Sequence, residues 1–229
     1  MSRFHIAACC GLFVLAGCPS HTPKTTGGLG DQLPLTPGEY PNTLVYRLPT
    51  LQVGKYKSIM VDSADIYRAA DADFGNASEA DKSRLAEKLS TEFRNALARR
   101  NYPMASVPGQ GVVRLHLTLA GVKESRPVAA TVLRLTPLGL GLSAAKTVTG
   151  QTSALVGSVT VSGEMIDTES GEPLAGFVAT ESPIALDITS GLGTLRAAEL
   201  GIERGANDFV DALDRFLKRP RQGPSTPGT

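Results

Sequence analysis

His116, in "VVRLHLTL" (112–119), is the residue a Ser-His-Asp hydrolase would have to use, because His5 and His21 both lie close to the amino terminus. A general base needs a nucleophile within hydrogen-bond reach, and no serine occupies a G-x-S-x-G turn. Alternation in this segment turns the imidazole outward beside Arg114 and Thr118, as expected of a surface histidine. "PLGLGLSA" (137–144) contains G-x-G-x-x-A at Gly139, Gly141 and Ala144, with Glu164 further on. That motif grips a pyrophosphate only where a strand gives way to a helix. Here "KTVTGQTS" follows, β-branched and broken by Gly150, so no dinucleotide is expected. "DADFGN" (71–76) brings two carboxylates together, but Gly75 and Lys82 stand where a calcium loop needs its fifth and twelfth ligands. Asp62 and Asp65 flank the end of an apolar run with no histidine near them in the sequence, and no metal is assigned to them.

Side chains of this kind act only when elements position them. "YKSIMVDSADIY" (56–67) puts Ile59 and Val61 on one face and predicts the first strand. Ser78 predicts a helix N-cap: Glu79 and Asp81 fall in the first turn, and Leu85, Leu89, Phe93 and Leu97 recur every four residues. Arg99 and Arg100 close that helix. In 112–119, Val113, Leu115, Leu117 and Leu119 face inward and predict a half-buried strand. "SVTVSGEMIDTESGEPLAGFVATES" (158–182) sets two extended runs around "DTESGE", a hairpin. A second helix, from about Thr194 to Leu217, carries Ile202, Ala206, Phe209, Val210, Leu213 and Phe216 on one face. Gly201 and Gly205 weaken its first half. Strand, helix, strand, hairpin and helix in that order predict an α+β fold, a mainly antiparallel sheet with two helices packed on one face.

Lys and Arg number 23 against 22 Asp and Glu, Trp is absent and aromatics are 5%. Such a chain offers neither a basic surface nor a stacking platform for nucleic acid. At the amino terminus, Arg3 and His5 precede an apolar run from Ile6 to Leu15, of signal-peptide length and too short to cross a bilayer. Ala16 and Gly17 then stand directly before Cys18, so "LAGC" resembles the lipobox of bacterial lipoproteins. That resemblance implies cleavage between Gly17 and Cys18, diacylglycerol on the Cys18 sulfur and usually an acyl group on the new amino terminus. Three acyl chains, at about 0.8 kcal/mol per buried CH2, exceed the two signals that stable anchoring takes. Cys9 and Cys10 leave with the signal, so no disulfide, CxxC site, thiolate zinc site or cysteine nucleophile remains. Pro19 stands where an Asp would be the retention signal, and resemblance to enteric lipoproteins then implies the outer membrane.

A wider set of segments goes with the lipobox: "GGLGDQLPL" (27–35), "VYRLP" (45–49), "YKSIMVDSADIY" and "GEMIDTESGEPLAG" (163–176). Together they resemble an uncharacterised proteobacterial lipoprotein family, domain of unknown function 3313. This chain departs from the family's pattern at Gly28 or Leu29 and near Gln32, where an aromatic is usual. The resemblance implies a periplasm-facing surface domain on a lipid anchor and carries over no catalytic residue.

The expected organisation is a signal peptide (1–17), a lipidated Cys18 with a flexible tether (18–42), a single α+β domain (43–219) and a disordered tail (220–229). The tether follows from prolines at 19, 23, 34, 37 and 41 without apolar period, and has a reach of roughly 25 Å. The function expected is a membrane-anchored, non-enzymatic interaction or envelope-assembly module without cofactor or metal. It meets the membrane through the lipid on Cys18 and has a protein partner or a homo-oligomer in the envelope. The alternative arises at "VAATVLRLTPLGLGLSAA" (128–145), where Leu138, Leu140 and Leu142 alternate with Gly139, Gly141 and Ser143. By analogy with curli-secretion lipoproteins, an oligomeric secretion or channel component would use the apolar 128–150 insertion. The leading reading packs that stretch against the fold.

Overall fold

The computed structural model describes residues 23–123, 157–182 and 195–218. Helix α1 (Glu79–Arg99) starts as its residue types require, the Ser78 hydroxyl accepting from the Asp81 amide. It stops where Asn101 takes a left-handed φ of 59°. There the Tyr102 amide donates to the Leu97 carbonyl and the Asn101 amide to that of Ala98. Helix α2 (Arg196–Lys218) follows the second predicted helix closely.

Seven strands form one sheet: β1 (Thr36–Pro37), β2 (Thr43–Arg47), β3 (Ser58–Val61), β4 (Asp65–Ile66), β5 (Val112–Lys123), β6 (Ser158–Asp167) and β7 (Pro173–Glu181). Their order is β1-β2-β7-β6-β5-β3, with β4 beside β5. Pairing is antiparallel except that β3 and β4 run parallel to β5, and α1 is the crossover that parallel strands require. The architecture is thus the expected α+β fold with a mainly antiparallel sheet.

Both helices bury their stripes on one face. Leu115, Leu117 and Leu119 of β5 join Leu85, Leu89 and Phe93 of α1, with Ile202, Ala206 and Val210 of α2 in the same cluster. Gly163 and Phe177 are direct partners across β6 and β7. A Cβ at 163 would lie 2.3 Å from the Phe177 ring, so the ring lies over the glycine and reaches Phe93 and Phe209, with centroids 6.1 and 5.4 Å away. Gly201 likewise permits a close approach, since a Cβ there would come within 2.8 Å of the Val159 side chain. The glycine that costs α2 helix propensity lets it sit close on the sheet.

Two expectations need correction. The run 56–67 forms two short strands, β3 and β4, and they are not first, because β1 and β2 precede them. β2 pairs with β7, far along the chain, and a five-residue run shows no such partner locally. The second correction concerns the tether, which is folded over 23–42. The buried Thr25 donates its hydroxyl to Asp71 at 2.8 Å. Gly27 and Gly28, both at positive φ, then turn the chain onto the sheet, where a Cβ at Gly27 would lie 2.5 Å from Ser162 Oγ. Leu29 and Leu33 are buried with Val178 on the face opposite the helices. Two leucines four residues apart make no period in a proline-rich window, and the surface they cover belongs to strands elsewhere in the sequence. The domain therefore begins before Thr43. Gly17, Cys18, the 128–150 stretch and the tail from Pro220 lie outside the described residues. Among the described residues no helix is long and apolar enough to cross a membrane.

Leu33→Ala should lower stability by about 2 kcal/mol. A chain begun at Thr43 should lose more than that. Urea midpoints measured against a chain begun at Pro23 test both, and equal midpoints would return residues 23–42 to the tether.

Candidate functional site

The ends of β3 and β4 bring Asp62 and Asp65 over His116 of β5. Nδ1 of His116 lies 3.8 Å from Asp62 Oδ2, and Nε2 lies 3.4 Å from Asp65 Oδ2. Arg114 Nε stands 3.7 Å from the same Asp62 oxygen. Glu164 is the register partner of His116 on β6; burial pushes its carboxyl up and the histidine draws it down. Sequence spacing puts no histidine near the two aspartates, yet the parallel register places His116 between them. A polar cleft of about 260 Å³ opens here, with Gly27, Gln32 and Tyr67 on its walls.

This arrangement sets Arg114 and His116 of β5 facing the carboxylates beside β3 and β4. Among the described residues no hydroxyl is hydrogen-bonded to His116; its ring nitrogens face Asp62 and Asp65. Nor, among the described residues, are three or more His, Cys, Asp or Glu side chains placed to hold a metal ion. In "DADFGN", Asp71 accepts hydroxyls from Tyr67 and Thr25, and these hold its carboxyl below the usual range. The Asp73 carbonyl accepts the Val122 amide. That turn fastens the amino-terminal segment and the loop before α1 to the sheet. Gly139, Gly141 and Ala144 lie outside the described residues, and Glu164 lines the polar cleft instead.

A larger opening lies on the helix face, a groove of about 900 Å³ beside α2. Phe209, Leu213 and Phe216 form its helical wall; Val45, Ala175 and Ala179 of β2 and β7 form its floor. At one end the Arg47 guanidinium lies 4.7 Å over the Phe216 ring. Arg215 stacks on Tyr40 and also donates to its hydroxyl. Towards the other end, Glu181 faces Gly201 and Gly205 of α2. Its carboxyl is raised to about 7, first by burial and then by Asp208, with Arg204 opposing. Burial raises Asp208 too. Sequence reasoning assigned no binding role to Val45, Ala175 or Ala179. The one local signal was Ala175-x-Phe177-x-Ala179, a ring between two small residues on a single strand face. Chemically the groove offers apolar wall with charge at its ends, the profile of a binding surface.

A family model described as protein of unknown function (DUF3313) matches residues 26–209. No curated protein matches the sequence. Among solved structures, a PelC dodecamer from Paraburkholderia phytofirmans is similar over 72% of this chain and 94% of its own, at 11% identity and a TM-score of 0.39. A neuraminyllactose-binding hemagglutinin homologue from Helicobacter pylori is similar over 76% and 92%, at 11% identity and a TM-score of 0.33. Likenesses this distant say nothing about the partners or assembly of the present chain.

The Glu181 carboxyl makes stability depend on pH. Its folded value of about 7 lies above the ordinary 4.5, so between these two only the folded state holds the proton. The stabilisation is complete below pH 4.5 and is lost as pH rises through 7. From pH 5 to 8 the wild type should lose about 1–2 kcal/mol relative to Glu181→Gln, after allowance for solvent screening. Urea midpoints across that range check it, and parallel curves for the two proteins would refute it.

Proposed function

The chain belongs to the DUF3313 family of proteins of unknown function, and we propose that it is a lipid-anchored, periplasm-facing interaction module without catalytic role. The observation that carries the anchor is "LAGC" after the apolar run from Ile6 to Leu15. Cys18 is the lipidated residue, Gly17 and Cys18 flank the cut, and Pro19 favours the outer membrane. What supports an interaction role is the groove along α2, an apolar channel of about 900 Å³ on a folded domain.

Cells fed labelled fatty acid should incorporate label into the wild-type protein and none into Cys18→Ala, whose sulfur is gone. Label persisting in the variant, or missing from the wild type, would sink the anchor. Membrane fractionation of the same cells should place the wild type with outer-membrane markers.

A further inference from the structure

The polar cleft beside His116 presents more hydrogen-bonding groups than the fold uses. Its floor is a square of four side chains on neighbouring strands. His116 of β5 is the register partner of Glu164 of β6, and Thr118 is that of Ser162, about 7 Å along the strands. Gln32 of the amino-terminal segment and Asp65 of β4 stand on its walls.

Ser162 is 3% exposed, yet among the described residues its hydroxyl has no hydrogen-bond partner. The oxygen faces Gly27, where a Cβ would lie 2.5 Å away, and both residues line the cleft. Among the described residues the side chains of Thr118, Gln32 and Glu164 have no hydrogen-bond partner either. A hydroxyl buried to this degree is ordinarily satisfied, so one left open beside three more such groups points to a ligand that supplies the bonds.

Charge narrows the ligand. Burial raises the Glu164 carboxyl, and His116 is the one group that opposes this. The two arginines nearby are engaged elsewhere, Arg114 facing Asp62 at 3.7 Å and Arg68 paired with Glu79 at 2.9 Å. The cleft keeps the carboxylates of Glu164 and Asp65, with the imidazole 3.4 Å from Asp65. An anion would meet both carboxylates, and among the described residues too few ligands converge for a metal ion. An ammonium brings positive charge and three N–H donors. The hydroxyls of Ser162 and Thr118, one step along the strands, suit a hydroxyl of the same molecule. At about 260 Å³ the cleft lies below the roughly 300–1,000 Å³ of sites for drug-sized ligands, so the molecule is compact. We propose that the cleft binds a small amino alcohol, its ammonium at the carboxylates of Glu164 and Asp65 and its hydroxyl on Ser162 and Thr118. This site lies across the sheet from the groove along α2, goes beyond the interaction role proposed above and does not depend on the lipid anchor.

The test titrates serinol, which is glycerol with an ammonium in place of its central hydroxyl, into the full chain and follows the heat. The protein is held in phosphatidylcholine nanodiscs, in a buffer free of other primary amines and polyols. Serinol should bind saturably at one site, and glycerol about tenfold more weakly or not at all. Glu164→Gln should lose about tenfold in serinol affinity and Ser162→Ala about threefold. Neither change should lower the urea midpoint, because each removes a group that the unliganded fold leaves unsatisfied. If Glu164→Gln unfolds, the exposed Asp65→Asn takes its place with the same expected loss. Bound serinol should also slow amide hydrogen exchange at Ser162 and Glu164. Absence of saturable binding, equal binding of glycerol, or an affinity unchanged in Glu164→Gln and Asp65→Asn would each overturn the proposal. Tighter binding of Nα-acetyl-lysine amide than of serinol would overturn it too, by giving the cleft to the lysine of a partner protein.

Discussion

Strand β5 is hydrogen-bonded along both sides, to β6 on one and to β3 and then β4 on the other. With both backbone edges committed, its side chains are left to alternate between two environments. Leu115, Leu117 and Leu119 face the helices, while Arg114, His116 and Thr118 face the other way. The register shifts between Leu119 and Gly121. At Gly121 a Cβ would lie 2.9 Å from the Asp73 carbonyl oxygen, so a glycine there lets the loop before α1 bond the sheet directly. The position of α1, the meeting of His116 with two aspartates, and the support of the amino-terminal segment all follow from this strand.

The sheet is covered on both faces, by different means. Helices supply the apolar cover on one face, where the rings of Phe93, Phe177 and Phe209 pack against one another. On the other, a short segment around Leu29 and Leu33 covers Gly176 and Val178. Tyr67, Asp71 and Thr25 form a hydrogen-bonded chain that ties this segment down. The polar cleft opens beside this segment, with Gly27, Leu29 and Gln32 on its walls. The hairpin turn is held similarly. Asp167, almost fully buried, accepts from Lys55, the Glu169 and Ser170 amides and Tyr56, which keep its carboxyl far below the usual range.

Helix α2 meets the sheet unevenly, and the groove is the result. Its first half presses close through Gly201, and its buried face ends with Ile202, Ala206 and Val210. Toward Phe216 the groove opens over Val45 of β2 and Ala175 and Ala179 of β7. A protein filling this space for stability would place branched side chains at 175 and 179. Instead, among the described residues, the groove keeps small side chains on its floor.

Elements whose signals are local were legible in the chain before any fold was known. Ser78 and the four-residue spacing from Leu85 to Leu97 marked α1, alternation marked β5, and "DTESGE" marked the hairpin turn, because caps, periods and turns act within a few residues. Features that depend on surfaces meeting emerged only with the folded chain. Leu29 and Leu33 became core because the far face of the sheet needed covering. His116 gained two aspartates because β3 and β4 pair parallel to β5. The groove exists only where α2 diverges from β2 and β7. Such contacts join residues far apart in the chain, and their free energy comes from area buried together, a quantity that no short window of sequence contains.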